Sequence, residues 1–240
     1  MMESLAGKFA IVTGSTRGIG RAIAERLLQE GAAVAICGRS SDAVSRALDE
    51  LQPFGRVFGA AADVTEAAAV GNFFRAVDGA FGALDILVNN AGAARFRKVG
   101  EMTTEEWHRH IDLNLNGPFY CSHEAVPRMI RRGGGSIVNI SSLAAKNAFS
   151  GGAAYNAAKA GLNAFAEALM LDHRHDNIRV STIMPGSVDT GFSGSPEKRT
   201  GDTSWMIAPE DVAEIVAMVL RMPVRTMVSS VEVRPSRPRK

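Results

Sequence analysis

The sequence has no run of apolar residues approaching the roughly 18 needed to cross a bilayer, so we expect no membrane span. It has only two cysteines, Cys37 and Cys121, far apart and without metal-ligand partners. This excludes a disulfide framework and indicates a reducing compartment. A net charge of +2 is too small to argue for nucleic acid. The opening residues, MMESLAGKF, include an early glutamate and no apolar stretch, so we expect no secretory signal and a cytoplasmic location.

What is present is typical of a globular chain, with 46% hydrophobic and 22% charged residues over 240 positions. This length suits one α/β domain with a sizeable core. The segment 234–240, RPSRPRK, is expected to be a solvated or subunit-edge basic tail. Two HRH triplets, at 108–110 and 173–175, place histidines two positions apart, which point in different directions on a helix. We therefore expect no metal site.

Short β-rich runs alternate with helical stretches along the chain. Apolar runs bounded by turn residues predict strands at 8–14, 32–38, 56–64, 84–92, 135–142, 178–186 and 226–233. Helical patterns or caps predict helices at 19–31, 103–115, 153–172 and 209–221, the second opening with a capping box from Thr103 to Glu106. Strands apolar throughout and separated by helices predict one α/β domain over 1–240: a doubly wound, mostly parallel seven-stranded sheet with helices on both faces. Ligands in such sheets bind beyond the carboxyl ends of the strands.

The segment TGSTRGIG, residues 13–20, lies where the first strand becomes the first helix. Its three glycines, Gly14, Gly18 and Gly20, permit a tight turn and close backbone approach. A structural turn explains such a segment equally well in isolation. Its position at the first helix N-terminus, where amides and the helix dipole favour anions, indicates a phosphate-binding loop.

The segment AAYNAAKAGLNAF, residues 153–165, places Tyr155 four positions before Lys159, so the two share a helix face. One interpretation has the tyrosine in the core and the lysine reaching solvent. The other has the lysine charge tuning the phenol. A free tyrosine has a pKa of about 10, and a nearby ammonium favours the phenolate that a general base requires.

Five motifs occur in order over nearly the whole chain: TGSTRGIG, NNAG at 89–92, SS at 141–142, YNAAK at 155–159 and PGSVDT at 185–190. Together they resemble the classical short-chain dehydrogenase/reductase family, and within it 3-oxoacyl-[acyl-carrier-protein] reductases. The resemblance implies a Rossmann-type fold and an oxidoreductase that interconverts a carbonyl and a secondary alcohol by hydride transfer. Many members close with a glycine pair after the last strand, and VEVRPSRPRK has none. The contribution of the C-terminus to the pocket and to subunit packing is therefore left open.

The resemblance implies a catalytic set of four residues. Tyr155 is the general acid/base, and Lys159 tunes it and holds the nicotinamide ribose. Ser142, 13 positions before Tyr155, orients and polarises the carbonyl; Ser141 competes for this role, and a turn or cap is the structural alternative. Asn114 matches the catalytic asparagine that holds a water, unless it serves only polar bonding at a helix kink.

The resemblance also implies a dinucleotide site. Asp63 would contact adenine, or else cap a strand end, and Asn89, Ala91 and Gly92 would pack beside the adenosine half and steady the fourth strand. The full predicted cofactor set is Gly14, Ser15, Thr16, Arg17, Gly18, Ile19, Gly20, Arg39, Asp63, Val64, Asn90, Ala91, Gly92, Tyr155, Lys159, Pro185, Gly186, Val188 and Thr190.

The residues after the second strand predict NADP(H) rather than NAD(H). An NAD enzyme typically ends this strand with an acidic residue that binds the ribose hydroxyls. Gly38 holds that place, Arg39 follows, and Arg17 lies in the glycine loop. Two guanidinium groups suit a 2′-phosphate. Alternatively both are ordinary surface arginines and Asp42 binds the ribose, although we expect Asp42 to start or cap the next helix behind Ser40.

Other features bear on substrate and assembly. The stretch 190–207, with Phe192, Trp205 and Met206, is expected to be a substrate lid or else a surface loop. Trp107 is expected in the core or an interface. Broad apolar faces on helices near 103–130 and 153–172 favour a homodimer or homotetramer.

The substrate class is less constrained. Arg128, Arg131 and Arg132 either meet the phosphates or acids of an acyl carrier or form a solvated helix end. The expected partner is a small carbonyl or alcohol, with a 3-oxoacyl thioester as the first candidate. Alternatives are small ketones, hydroxy acids or sugars, or a non-catalytic nucleotide-sensing protein, whose mark would be a broken Tyr/Lys/Ser set.

Overall fold

A computed structural model describes residues 2–192 and 202–238. Within them lie seven strands: β1 Phe9–Thr13, β2 Ala33–Gly38, β3 Val57–Ala61, β4 Ile86–Asn89, β5 Gly135–Ile140, β6 Ile178–Pro185 and β7 Ser230–Val233. The α-helices there are α1 Gly18–Gln29, α2 Ser41–Leu51, α3 Ala67–Phe81, α4 Thr104–Ile111, α5 Gly117–Arg132, α6 Ala153–His173 and α7 Pro209–Leu220. No helix in the described ranges is long and apolar enough to span a bilayer.

The strands form one parallel sheet in the order β3-β2-β1-β4-β5-β6-β7. Val12 in β1 pairs with Ile36 of β2 on one side and Val88 of β4 on the other. The strand order therefore reverses at β1, and a crevice opens there at the carboxyl ends. The predicted doubly wound, single-domain fold is confirmed. β7 is shorter than the predicted 226–233, and α2 and α3 had not been assigned from the sequence.

Alternate side chains of the strands feed two cores, one on each face of the sheet. Val12 joins a cluster with Ile23 of α1 and Val216 of α7. The neighbouring Ile11 joins the opposite cluster, with Phe74 of α3 and Met129 of α5. Because both faces are covered by helices, the strands are apolar throughout, and the polar groups that can do chemistry collect at the strand ends.

The helix predicted for 103–115 is interrupted after Ile111, just before Asn114. Its capping box is present: the Thr103 hydroxyl accepts from the Glu106 N–H at 3.2 Å, and Glu106 accepts from the Thr103 N–H at 3.2 Å. The α-helix ends at Ile111, however, and a π-helical turn, Asp112–Asn116, follows. Such turns insert a residue into a helix and are frequent at functional sites.

Candidate active site

A cleft of about 1010 Å³ lies at the carboxyl ends of the strands, where the strand order reverses. One wall is built by the glycine loop and the end of β2, and the other by the ends of β5 and β6 with the start of α6. Ser142, Tyr155 and Lys159 all line it. The fold thus brings together motifs that are more than 100 residues apart in sequence.

Tyr155 and Lys159 occupy the same buried face of α6, with 7% and 3% of their surfaces exposed. The Lys159 ammonium donates to the Ile140 carbonyl at 2.9 Å and lies 5.9 Å from the Tyr155 ring centroid. The interpretation in which the lysine reaches solvent is therefore wrong. A charged group held this deep indicates a role beyond packing.

Burial shifts the pKa of both groups away from the charged form. It lowers the pKa of Lys159 from 10.5 to about 8 and raises the pKa of Tyr155, a rise that the Ser142 side-chain hydrogen bond opposes. We had expected the lysine to lower the tyrosine pKa. In this arrangement desolvation of the buried phenol is the largest cause of the shift, and the ammonium is bonded to the Ile140 carbonyl.

The two serines after β5 face different surroundings. The Ser141 hydroxyl is buried and donates to Asn163 Oδ1 at 2.6 Å, tying β5 to α6. The Ser142 hydroxyl accepts from the Ala144 N–H at 3.1 Å, and it lies close enough to Tyr155 to lower the pKa of the phenol. Ser142 thus serves as the turn cap and points at the phenol, whereas Ser141 is occupied by a structural bond.

Asn114 lies in the π-helical turn and is fully buried. Its amide donates to the Ala93 and His110 carbonyls, each at 3.0 Å, while Oδ1 has no partner among the described residues. A Cβ added to Gly92 would lie 2.9 Å from this Oδ1 and 3.7 Å from Lys159 Nζ. A buried acceptor and an ammonium thus border the same small space, as a water-holding role requires.

The glycine loop is packed too tightly for side chains. Gly14 has φ +62°, and a Cβ there would lie 2.7 Å from the Ala91 Cα. Gly18 has φ +57°, and its Cβ would meet Thr190 at 3.3 Å. Both close approaches and left-handed backbones require glycine. The loop is therefore held against the segments after β4 and β6 that complete the cleft.

The predicted cofactor residues line the cleft with one exception. Those on its wall are Gly14, Thr16, Arg17, Gly18, Ile19, Gly20, Arg39, Asp63, Val64, Asn90, Ala91, Gly92, Tyr155, Lys159, Pro185, Gly186, Val188 and Thr190. Ser15 is absent from this wall: its buried hydroxyl donates to the Val12 carbonyl at 2.6 Å and accepts from the Cys37 N–H at 3.2 Å. Its side chain braces β1 against β2.

The two asparagines of the NNAG motif, Asn89 and Asn90, have different surroundings, and only Asn90 lines the cleft. Asn89, expected beside the adenosine half, is buried and donates to Ser122 and Asn139, so it steadies β4 only. Asn90 lines the cleft, and its amide donates to the Thr13 and Gly14 carbonyls. One asparagine supports the sheet and the next supports the glycine loop.

Asp63 forms the strand-end cap that was one of its two predicted roles, and its contact with adenine stays a prediction. Its Oδ1 accepts from the Thr65 N–H at 3.0 Å and from the Thr65 hydroxyl at 2.8 Å, which caps the end of β3. The same residue lies on the cleft wall with Val64. The cap fixes where the carboxylate stands at the edge of the cleft.

The end of β2 presents cations to the cleft. Arg17 and Arg39 are exposed on its wall, and neither guanidinium has an ion-pair partner within residues 2–192 and 202–238. A Cβ at Gly38 would lie 2.9 Å from Thr16 Cγ2, so a side chain at this position would require Thr16 to shift. α2 begins at Ser41 behind its N-cap Ser40, with Asp42 in its first turn, as expected. The residues present therefore fit a phosphorylated ribose.

Several cleft residues escaped the sequence analysis. Arg46, in the second turn of α2, adds a third arginine to the lining of the cleft, and only the helix period could have signalled it. Phe96, Phe149 and Arg234 line the opposite side, and no motif marks them. Because Arg234 begins the C-terminal tail, its position shows that the tail contributes to the pocket.

The predicted lid is only partly within the described residues. Phe192 and Met206 line the cleft, but Trp205 does not. Positions 193–201 of the lid and 239–240 of the tail lie outside the described ranges. Trp107 is 39% exposed on this chain, so it is not a core residue.

The described residues contain no cluster of three or more histidine, cysteine or acidic side chains able to hold a metal ion. His110, the one buried histidine of the first HRH triplet, is engaged instead with the Arg95 carbonyl at 3.0 Å.

Comparison with known proteins decides the family. The model for short chain dehydrogenases matches residues 8–200. The chain belongs to the short-chain dehydrogenase family. It is 32% identical to an uncharacterized oxidoreductase of Staphylococcus aureus, over 98% of this chain and 100% of that protein. It is therefore an oxidoreductase.

Solved structures agree with this assignment over the whole fold. An alcohol dehydrogenase from the archaeon Thermococcus sibiricus, complexed with 5-hydroxy-NADP, is 31% identical with a TM-score of 0.89, covering 97% of this chain and 99% of that one. A metagenomic short-chain oxidoreductase in complex with NADP is 34% identical with a TM-score of 0.86, covering 98% and 100%.

Proposed function

We propose that this short-chain dehydrogenase uses NADP(H) to interconvert a ketone and a secondary alcohol, with Tyr155 as general acid/base. The observation that carries the proposal is the convergence of Ser142, Tyr155 and Lys159 on one wall of a cleft whose other wall presents unpaired arginines. The NADP-type ligands of two similar structures support the choice of cofactor. A bound dinucleotide would supply the hydride and, in its oxidised form, positive charge to the site.

Each residue of the site has a defined task in this proposal. Ser142, whose side chain lowers the pKa of the nearby phenol, holds the substrate carbonyl oxygen within reach of the Tyr155 hydroxyl. Tyr155 donates its proton to that oxygen during reduction and takes it back during oxidation. Because burial raises the pKa of Tyr155, the free phenol is stable as a donor, and reaching the phenolate needs positive charge beyond that of Lys159 alone.

Lys159 and Asn114 help to restore the proton that Tyr155 donates to the substrate. The ammonium lies next to the ribose-binding end of the cleft, and the unpartnered Asn114 Oδ1 borders the same space beside Gly92. A water held there would link the ammonium to the cleft. This route keeps charge on Lys159 while the proton of Tyr155 is restored.

Arg17 and Arg39 hold the 2′-phosphate of the cofactor with charge-assisted bonds, and the N-terminus of α2 adds its amides. Gly38 supports the same choice, since this position carries no acidic side chain to bind the ribose hydroxyls. Wild-type kcat/KM measured with NADPH and NADH tests this assignment. We expect a clear preference for NADPH, and equal values would contradict it.

The 3-oxoacyl-thioester substrate loses its sequence support. Arg128 makes a bidentate bond to Asp78 at 2.8–3.1 Å and a second ion pair with Glu124, so it is not free to meet an acyl carrier. α5 carries it to the amino end of β5, opposite the cleft. Arg132 pairs with Asp85 in the same region. Arg128 is therefore a part-buried ion-pair residue rather than a solvated one, and neither Arg128 nor Arg132 supports a contact with an acyl carrier.

The reaction itself is tested by NADPH oxidation against a panel of carbonyl compounds. The panel should contain small ketones, hydroxy-acid precursors, sugars, aryl ketones and a 3-oxoacyl thioester. We expect turnover of at least one ketone class. NADPH binding without turnover of any carbonyl would contradict the enzymatic proposal and favour a nucleotide-sensing protein.

We also propose a homodimer or homotetramer formed through α5 and α6. Phe119 of α5 is 47% exposed and contacts Phe165 of α6, and Leu171 is 52% exposed on the same helix. These side chains continue an apolar face that the sheet does not cover. Sedimentation at micromolar concentration should give two or four times the 25.5 kDa chain mass, and a 25.5 kDa particle alone would contradict it.

A further inference from the structure

The side of the cleft away from the arginines has an aromatic wall, which we define as Phe96, Phe149 and Phe192. Phe96 meets Phe149 edge-to-face at 5.1 Å between centroids and 84° between planes. Phe96 and Phe192 lie 6.1 Å and 5.9 Å from the Tyr155 ring. The wall is therefore built around the catalytic phenol itself.

All three rings of the aromatic wall leave 40–44% of their surface exposed, and all three line the cleft. They belong to different segments: one after β4, one before α6 and one after β6. Single exposed apolar residues need no explanation, but three that converge beside a reactive group form a binding surface. Leu143 and Met206 extend it with further apolar surface.

Charge is nearly absent from this side. Among the described residues on it, the charged groups are Lys159, which is buried and donates to the Ile140 carbonyl at 2.9 Å, and Arg234, whose guanidinium pairs with Glu232 at 2.8 Å. Arg95 and Arg97, which flank Phe96, are drawn away by ion pairs to Glu106. A substrate portion bearing a carboxylate or phosphate would find no free counter-charge here, so the portion that binds is uncharged.

We propose that the substrate class is an aryl ketone, whose ring packs against the aromatic wall while its carbonyl oxygen meets Ser142 and Tyr155. Aromatic rings prefer edge-to-face or offset contacts with one another, which a saturated ring of equal size cannot make. Phe96 and Phe149 already show this geometry with each other, and their exposed surfaces leave room for a third ring.

The inference rests on the proposed function, and the step balances. Hydride passes from NADPH to the carbonyl carbon and the proton from the Tyr155 hydroxyl to the oxygen. The ketone becomes a secondary alcohol and NADPH becomes NADP⁺. The aromatic wall takes no part in bond making; it orients the ketone so that one face meets the hydride donor.

A matched pair of substrates tests the proposal: acetophenone and cyclohexyl methyl ketone, which differ in aromaticity but little in size. Butanone and an acetoacetyl thioester complete the set. We expect kcat/KM for acetophenone to exceed that for cyclohexyl methyl ketone by about 10-fold. Phe149→Leu should lower this ratio by about 2- to 10-fold, since it removes one aromatic partner and keeps apolar bulk.

Phe54→Leu is the matched control, because Phe54 is an exposed phenylalanine outside the cleft and its loss should leave the ratio unchanged. Equal rates for the two ketones, a preference for the thioester, or an unchanged ratio in Phe149→Leu would overturn the aryl-ketone proposal. In those cases butanone turnover with NADPH still supports the proposed function. Absence of turnover with every carbonyl would refute both.

Discussion

The two sides of the cleft lie at the carboxyl ends of the same parallel sheet, yet they are built for different kinds of recognition. The side near β2 presents the guanidinium groups of Arg17 and Arg39, whereas the other presents Phe96 and Phe149. Charged bonds to a phosphate are directional and depend on residue type at set positions. Packing against rings depends on shape, which side chains from many segments can supply.

This difference explains why the side with Arg17 and Arg39, the proposed cofactor side, could be predicted from the sequence. The side with Phe96 and Phe149, the proposed substrate side, could not. The glycine loop and the residues after β2 follow each strand at short, regular spacing, so their place in the fold follows from chain order. The aromatic wall is assembled from three segments separated by more than 40 residues each. The Tyr155 phenol, the proposed general acid/base, lies between the two sides of the cleft.

Tyr155→Phe should have the largest effect, because it removes the hydroxyl group that is proposed to donate the proton. Catalysis is expected to fall by a factor on the order of 10² to 10⁴. NADPH affinity should stay near wild type, since the ring keeps its packing. Steady-state kinetics and cofactor titration check both values; a variant retaining most of its turnover on every active ketone would contradict the assigned role.

Lys159→Met is expected to stabilise the fold near neutral pH. Burial lowers the Lys159 pKa from 10.5 to about 8. At roughly 1.4 kcal/mol per pH unit, keeping this ammonium charged costs about 3 kcal/mol. Between pH 8 and 10.5 the unfolded chain binds more protons at this group, so wild-type stability rises with pH in that window and the advantage of the variant shrinks.

Denaturant unfolding near pH 7 and near pH 10 measures this effect. We expect Lys159→Met to exceed wild type at the lower pH and to approach it at the higher one. Lys98→Met provides the control, because Lys98 is an exposed lysine outside the cleft. A gain of equal size at both pH values would mean that the effect comes from packing rather than from charge burial.

Arg39→Ala should weaken NADPH binding by about 10- to 150-fold, the range for losing one charged hydrogen bond of roughly 1.5–3 kcal/mol. NADH binding should hardly change, because NADH has no phosphate at this position. Arg109→Ala, an exposed arginine outside the cleft, is the matched control. A parallel loss of NADH affinity would show that Arg39 shapes the loop instead of holding the phosphate.

Thr103→Ala should have the smallest effect. It removes the capping bond to the Glu106 N–H at the start of α4, at a cost of about 1 kcal/mol in the free energy of unfolding. The cap lies outside the cleft, so kcat should change little. Denaturant titration checks the stability and kinetics the activity. A large loss of activity with unchanged stability would place this helix end within the substrate side of the cleft.

The order of elements, the parallel sheet and most strand positions followed from the sequence, because periodicity and turn residues act over a few neighbouring positions. Local spacing also predicted the pairing of Tyr155 with Lys159 on one helix face and the capping box of α4. Residue type at motif positions predicted that Arg17 and Arg39 would share the cleft.

Only the tertiary structure decided what these groups contact. Ser15 and Asn89 belong to sequence motifs, yet their side chains form hydrogen bonds to residues of other strands and helices. Both side chains are therefore buried in the protein and do not line the cleft. The pKa of Tyr155 depends on how deeply α6 buries it, and Lys159 turns to a carbonyl contributed by β5. The aromatic wall arises where three separate segments meet beside β5. Desolvation and long-range packing depend on residues distant in the chain, which no local pattern encodes.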